Sequence, residues 1–383
     1  KKLLLSGKKM RFYIGFDATS PTLHLSHAKN IMLMEKFRQL GHEVIILFGD
    51  FTARIGDPTG ESSARKQLSR ADVVKNVKRW KELIKPLMNF NDFKHPPKIK
   101  YNNDWLSKLT MEEIMNLASN FTVQRMLERD MYQKRIKEEK PIYLHEFLYP
   151  LMQGYDSVAM DVDVEVCGTD QIFNALAGRD LSKKLTGKDK FVVAVTLMEN
   201  PKTGELMSKS KGTGVFLDAK PVEMFGQIMA QPDEMIEILF VNNTTLPLDE
   251  IKQIVSGNPR DAKARLASEI VKIFYGAKEA KKAEEEFDKV FRNRELPDNM
   301  PVLEVAQDKY NIIDLLCLPV GRQAIQLASS RKEAKRLVEG NAVEIINGEE
   351  KIKITDWKAE VRLQEGTVIR VGSRRFAKIN LIK

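Results

Sequence analysis

The sequence predicts an α/β fold: a doubly wound parallel sheet, followed by an all-helical segment and a small α+β domain. Three observations carry this. Strand and helix signals alternate through the first half; helical patterns alone fill 222–291; from residue 311 two helices give way to short strands. The length of 383 residues suffices for two or three domains.

The first strand is Arg11-Phe12-Tyr13-Ile14-Gly15-Phe16. A helix over 24–40 follows, with Ile31, Met34 and Leu40 among its apolar positions, and Gly41 stands where a C-cap belongs. Residues 43–48 form a continuous apolar run after Glu43, as in a parallel strand covered on both faces. Further strands are expected at 98–101, 162–166 and 191–196, with helices at 71–88, 110–117 and 122–137 between them. Residues 295–299 read as a linker, and Asn347-Gly348 and Glu365-Gly366 mark turns. Sheets of this kind bind ligands at the carboxyl ends of their strands, and two polar motifs each follow a strand: His24-Leu25-Ser26-His27 and Leu206-Met207-Ser208-Lys209-Ser210-Lys211-Gly212.

Composition narrows the function. No apolar run reaches the roughly 18 residues of a membrane span, and Lys1–Gly7 is too short for a signal peptide. Cys167 and Cys317 are the only cysteines, so no disulfide framework exists and a reducing cytoplasm fits. No second ligand pair joins His24 and His27 at metal spacing, so no protein-bound metal is expected. A net charge of +9 permits a polyanionic partner. Residues 311–383 carry 14 Lys and Arg against 9 Asp and Glu.

The motifs point to phosphate chemistry. His24 and His27 at a helix start place two donors near the positive end of the helix dipole. Thr19 can add a hydroxyl; Lys209 and Lys211 lie on a loop that Gly212 and Gly214 let change conformation. There is no GxxxxGK[ST], so the P-loop route is absent.

The two motifs resemble the HIGH and KMSKS signatures of class I aminoacyl-tRNA synthetases. Four further segments resemble the bacterial-type tyrosyl-tRNA synthetase family, in order and over nearly the whole chain: 13–19, 49–60, Tyr149-Pro150-Leu151-Met152-Gln153-Gly154-Tyr155-Asp156, and Gly168-Thr169-Asp170-Gln171-Ile172-Phe173-Asn174. The resemblance implies a Rossmann-like catalytic domain over 1–218 with a helical insertion at about 110–145, a helical anticodon-side domain over 219–300, and an αL-type RNA-binding domain over 311–383. A further helix ahead of Lys1 is expected.

The implied reaction activates L-tyrosine with ATP and Mg²⁺ and transfers it to the 3′ end of tRNA(Tyr). Tyr13 and Asp156 are implied as partners of the substrate phenol. Asp57, Tyr149 and Gln153 would hold its α-ammonium, and Gln171 its carboxylate region. Gly15 and Asp17 would contact the adenylate and Asp170 the ribose. Ser26, Met207, Ser208, Lys209, Ser210 and Lys211 would bind ATP, and His24, His27, Thr19 and Lys209 would stabilise the transition state. In the tail, Ser330, Arg331, Lys332, Lys335, Arg336, Arg374 and Arg375 would meet RNA phosphates. The family works as a cytoplasmic homodimer without a membrane. Phe121, Met126 and Leu127 are the expected interface contacts, with Lys134, Arg135 and Lys137 toward the acceptor stem.

Three positions depart from the pattern. Ser26 replaces the Gly of HIGH, Leu206 the first Lys of KMSKS, and Cys167 a Gly beside the Gly-Thr-Asp-Gln turn. Lys202 or Lys211 could supply the missing cation. A tryptophanyl enzyme fits poorly, lacking the basic tail and the Tyr–Asp pair. A catalytically weakened paralogue that binds structured RNA is the alternative from a different class.

Overall fold

Every strand of the first sheet runs in the same direction. The strands are β1 (Arg11–Phe16), β2 (Glu43–Phe48), β3 (Lys98–Tyr101), β4 (Val164–Gly168) and β5 (Phe191–Val195), in the order β3-β2-β1-β4-β5. The chain winds outward from β1 through β2 to β3, then returns to β1's other side for β4 and β5. The winding therefore reverses between β1 and β4, and a crevice opens beyond the carboxyl ends of those two strands. The computed structural model describes residues 2–58, 68–207, 213–291, 296, 300–320, 325–348, 350–372 and 375–382.

The burial follows the sequence. Val44–Phe48 are all buried, as a central parallel strand requires. The helix Leu25–Gln39 ends as expected: Gly41 adopts φ +84° and its N–H caps the Arg38 carbonyl. The helix Met111–Ala118 starts on a capping box in which Thr110 and Glu113 satisfy each other's backbone N–H.

Three boundaries differ from the sequence expectation. The strand expected at 162–166 lies at Val164–Gly168, because Val162 accepts no ladder and closes the preceding helix onto Ser157 instead. The helix expected over 71–88 is Arg70–Ile84, followed by a tight turn at Lys85–Leu87 containing Pro86. The helix expected over 122–137 is two, Val123–Leu127 and Asp130–Lys137. Arg129 breaks it with an extended backbone, and its buried guanidinium lies over the rings of Tyr132 and Phe173.

The helices Leu148–Ala159 and Ile172–Thr186 pack closely where Gly154 faces Gly178. A Cβ on Gly154 would stand 2.9 Å from Leu181 Cδ1 and 3.2 Å from the Gly178 nitrogen. Beyond β5, the helices Pro221–Met229, Ile236–Asn243, Leu248–Val255, Pro259–Tyr275 and Ala277–Phe291 follow without strands.

The chain divides into two compact units, Lys1–Lys281 and Lys282–Lys383. The second is built on a five-stranded sheet in the spatial order Glu350–Ile354, Val343–Asn347, Val368–Val371, Arg375–Leu381 and Val302–Val305, antiparallel except for the last pair. Its helix Arg331–Glu339 buries Ala334 and Val338 and turns Lys332, Lys335 and Arg336 outward. Among the described residues, no helix is long and apolar enough to cross a membrane.

Two glycines in helices separate packing from propensity. Gly154→Ala is expected to destabilise the protein, overpacking costing about 1–3 kcal/mol. Gly226, where an added Cβ meets nothing within 4 Å, should gain up to about 1 kcal/mol as Ala. Urea unfolding of both variants measures the pair; equal shifts would sink the close-packing account.

Candidate active site

A cavity of about 980 Å³ lies at the winding reversal of the first sheet. It is lined from β1 by Tyr13 and Gly15 and from the turn after it by Asp17 and Thr19. Ser26, His24 and His27 come from the start of the following helix, and Asp57 from the loop after β2. Tyr149, Gln153 and Asp156 come from the helix Leu148–Ala159, and Asp170 and Gln171 from the turn after β4; Met207 closes one end. The structure thus brings these candidates from six stretches of the chain around one cavity. Ser208, Lys209, Ser210, Lys211 and Gly212 lie outside the described residues.

The distant motifs meet through backbone pairing. Leu25 N–H donates to Val215 O at 3.1 Å and Leu217 N–H to Leu23 O at 2.9 Å. The segment after Gly212 therefore runs beside the start of the histidine helix.

Tyr13, 1% exposed, has its hydroxyl 2.9 Å from Ser157 Oγ. Burial, then the carboxylates of Glu165 and Asp156, push that hydroxyl well above its usual range. Asp156, 2% exposed, receives Trp105 Nε1 on one oxygen at 2.8 Å and Asn102 Nδ2 on the other at 3.2 Å. Burial raises its carboxyl well above the usual range, with these two donors opposing.

Asp17 accepts from Thr52 Oγ1 at 2.6 Å and from the Tyr149 hydroxyl at 2.9 Å. It therefore positions Tyr149 as well as facing the cavity. Burial raises its carboxyl to about 7, against those two bonds. Gly49 makes the arrangement possible: a Cβ there would lie 2.0 Å from Asp17 Oδ1. Gln171 donates to Asp57 at 2.6 Å and accepts from Asn174 Nδ2 at 2.8 Å, which fixes its amide. Gln153 donates to Glu165 at 3.0 Å.

At the other end, burial lowers His24 to about 4 and His27 to about 3, so both imidazoles are neutral at pH 7. His24 N–H donates to His27 Nδ1 at 3.4 Å, which leaves the His27 proton on Nε2. As neutral imidazoles they can offer hydrogen bonds but no positive charge. Among the described residues, no group of three His, Cys, Asp or Glu could hold a metal ion.

Several expectations change. Lys202, one candidate for the missing cation, pairs with Glu234 and does not line the cavity. Leu206 stands at the cavity edge, 47% exposed. Met126, 4% exposed, packs inside the chain and is not a surface contact; the exposed apolar side chains nearby are Met111, Met115 and Val123. Arg135 is held by the buried Glu146, whereas Lys134 and Lys137 are exposed. In the second unit Ser330 caps its helix, Arg331 pairs with Asp314, and Arg375 donates to Leu327 O and Glu333. Lys335 lies 4.4 Å over the ring of Trp357. Arg374 lies outside the described residues.

Sequence reasoning missed Thr52, Asn102, Trp105, Glu165 and Lys190. The rule that ligands sit beyond strand ends could have found Thr52, Asn102 and Trp105, which follow β2 and β3. Lys190 carries no such signal, since Lys188-Asp189-Lys190 reads as a solvated loop.

A carboxyl whose folded-state pKa is raised contributes stability that is complete below its unfolded value and is lost as pH rises through the folded value. Asp17 therefore costs stability above about pH 7. Asp17→Asn should unfold at a higher temperature than the wild type at pH 8, the difference shrinking toward pH 4. A difference independent of pH would contradict the raised carboxyl.

Residues 5–292 match the family tRNA synthetases class I (W and Y). A tyrosine–tRNA ligase of Moorella thermoacetica is 40% identical over 386 residues, covering 99% of this chain and 90% of that protein. One of Carboxydothermus hydrogenoformans is 42% identical over 390 residues, covering 99% and 92%. A C-terminally truncated mitochondrial tyrosyl-tRNA synthetase of Aspergillus nidulans has a TM-score of 0.63 at 25% identity, over 76% of this chain and 89% of that one. The tyrosyl-tRNA synthetase of Archaeoglobus fulgidus complexed with L-tyrosine shares the fold, with a TM-score of 0.57 at 18% identity over 74% and 92%. With a family match spanning most of its length and relatives at this identity, the chain belongs to the class I tRNA synthetases of the W and Y group.

Proposed function

We infer that the chain is a tyrosine–tRNA ligase. The observation that carries the reading is the buried pair of a phenol and a carboxyl, Tyr13 and Asp156, lining one cavity with the histidine helix. A site that offers hydrogen-bonding groups to a substrate hydroxyl rejects the analogue lacking it, because its own polar groups are then left unpaired.

The reaction follows from the placement. Tyrosine lies with its phenol toward Tyr13 and Asp156, its ammonium toward Asp57, Tyr149 and Gln153, and its carboxylate near Gln171. The carboxylate oxygen attacks the α-phosphate of ATP, and pyrophosphate leaves. His24 and His27 donate hydrogen bonds to the phosphates as neutral imidazoles, beside the N-terminal amides of their helix. Thr19 and Lys209 add to this set, and Mg²⁺ arrives with ATP and neutralises its phosphates. Gly15, Asp17, Ser26, Asp170 and the loop through Lys211 hold the adenylate. A terminal ribose hydroxyl of tRNA(Tyr) then attacks the tyrosyl carbonyl, and AMP leaves.

The second unit would grip the tRNA through Lys332, Lys335 and Arg336, joined by Arg374. Met111, Met115 and Val123 offer an apolar surface for a homodimer, and a cytoplasmic location is proposed from the same likeness.

Amino-acid-dependent ATP–pyrophosphate exchange with tyrosine, phenylalanine and tryptophan tests the first step. Exchange with tyrosine is expected, with phenylalanine lower by roughly 10⁴ to 10⁵ in kcat/KM. No exchange from a folded protein that still binds tRNA would overturn the reading. Titration of tRNA(Tyr) across salt concentrations tests the tail. Lys332→Ala with Arg336→Ala should weaken binding and flatten the salt slope by about two phosphate contacts; an unchanged slope would place the RNA elsewhere.

A further inference from the structure

One ion pair lies partly in the wall of the cavity: Glu165 lines it and Lys190 stands behind. Lys190, immediately before β5, is 1% exposed, and Glu165 on β4 is 2% exposed. The Lys190 ammonium bonds one oxygen of Glu165 and donates to the Ala175 carbonyl at 3.0 Å. The fold makes room for it: a Cβ on Gly178 would stand 2.7 Å from Lys190 Nζ. Burying a charged pair is costly, and apolar residues of the same volume would serve packing as well or better. Such a pair in the wall of a binding cavity calls for a role besides packing.

The second oxygen of Glu165 supplies that role. It accepts from Gln153 Nε2 at 3.0 Å. A carboxylate is an acceptor only, so Gln153 must turn its NH₂ toward Glu165. Its carbonyl oxygen, which accepts no hydrogen bond among the described residues, is left for the cavity that Gln153 lines. An acceptor suits an ammonium; the flipped amide would present a donor and repel it.

We propose that Lys190 is a positioning residue which, through Glu165, fixes the amide of Gln153 with its carbonyl toward the amino group of the bound amino acid. This rests on the reading of Gln153 as an ammonium contact. In Glu165→Gln, Lys190 can only donate, so it claims the new amide's oxygen. The new NH₂ then faces Gln153, which must flip. Replacing Lys190 by Met as well releases the oxygen of residue 165 to accept from Gln153 again.

The test measures KM for tyrosine in pyrophosphate exchange and the inhibition constant of 3-(4-hydroxyphenyl)propanoate, which is tyrosine without its amino group. Thermal unfolding is measured beside both. E165Q should raise KM for tyrosine by about 10- to 100-fold, as reversing a hydrogen bond to a charged group implies. Its kcat should change less; because Glu165 also faces the Tyr13 hydroxyl, the desamino analogue should weaken too, but by clearly less than tyrosine. The double variant E165Q/K190M should recover most of the loss. Equal weakening of both ligands by E165Q, or a double variant no better than E165Q, would overturn the proposal. Gln153→Leu separates the two levels. If it leaves the preference for tyrosine over the desamino compound intact, the ammonium reading fails and the proposal falls with it. If it removes the preference while E165Q does not, the positioning role alone fails.

Discussion

Taking carboxylates out of water is the constraint on which this site is built. Asp156 and Glu165 are both 2% exposed, at one end of one cavity. An unpaired buried charge is expensive unless donors or a cation surround it. The two are satisfied differently. Asp156 has neutral donors, Trp105 and Asn102, from the segment after the edge strand β3. Glu165 has a cation, Lys190, whose ammonium fits against Gly178, where the helices meet at Gly154 and Gly178. The packing of the catalytic unit and the polarity of its cavity are therefore one problem. A change that separates those helices also disturbs the groups that face an amino acid.

The departures at Ser26, Leu206 and Cys167 fall around this cavity rather than in its acidic end. Ser26 keeps a small side chain on the histidine helix. Leu206 is exposed at the rim, where a cation would meet solvent and phosphate alike. Cys167 is buried, and burial pushes its thiol up to about 12, so it adds bulk and no charge. None of the three touches Tyr13, Asp156 or their donors through a hydrogen bond among the described residues.

Much of the fold was legible because its signals are local. β1, β2 and β3 lie at the residues expected for them, and Gly41 stops its helix by a backbone geometry that its own residue type favours. The break at Arg129 was illegible because an amphipathic pattern continues across it, and what ends the helix is a tertiary stack on Tyr132 and Phe173. The site shows the same division. Tyr13, Asp156 and the histidines sit in segments whose order carries a family resemblance. Trp105, which bonds a partner 51 residues away, had only its place after a strand end to mark it, and Lys190, whose partner is 25 residues away, had no signal in the chain. The loop 208–212, which carried the clearest motif, lies outside the described residues.

Histidine is the side chain that ordinarily titrates near neutrality. Here burial reverses the assignment: His24 and His27 fall to about 4 and 3, while Asp17 rises to about 7. The cavity is thus unevenly buffered. A fall of one pH unit inside a cell leaves the histidine end as it was and adds a proton at the end where Asp17 holds Tyr149. Mild acidification therefore reaches the Asp17–Tyr149 bond before it reaches either imidazole.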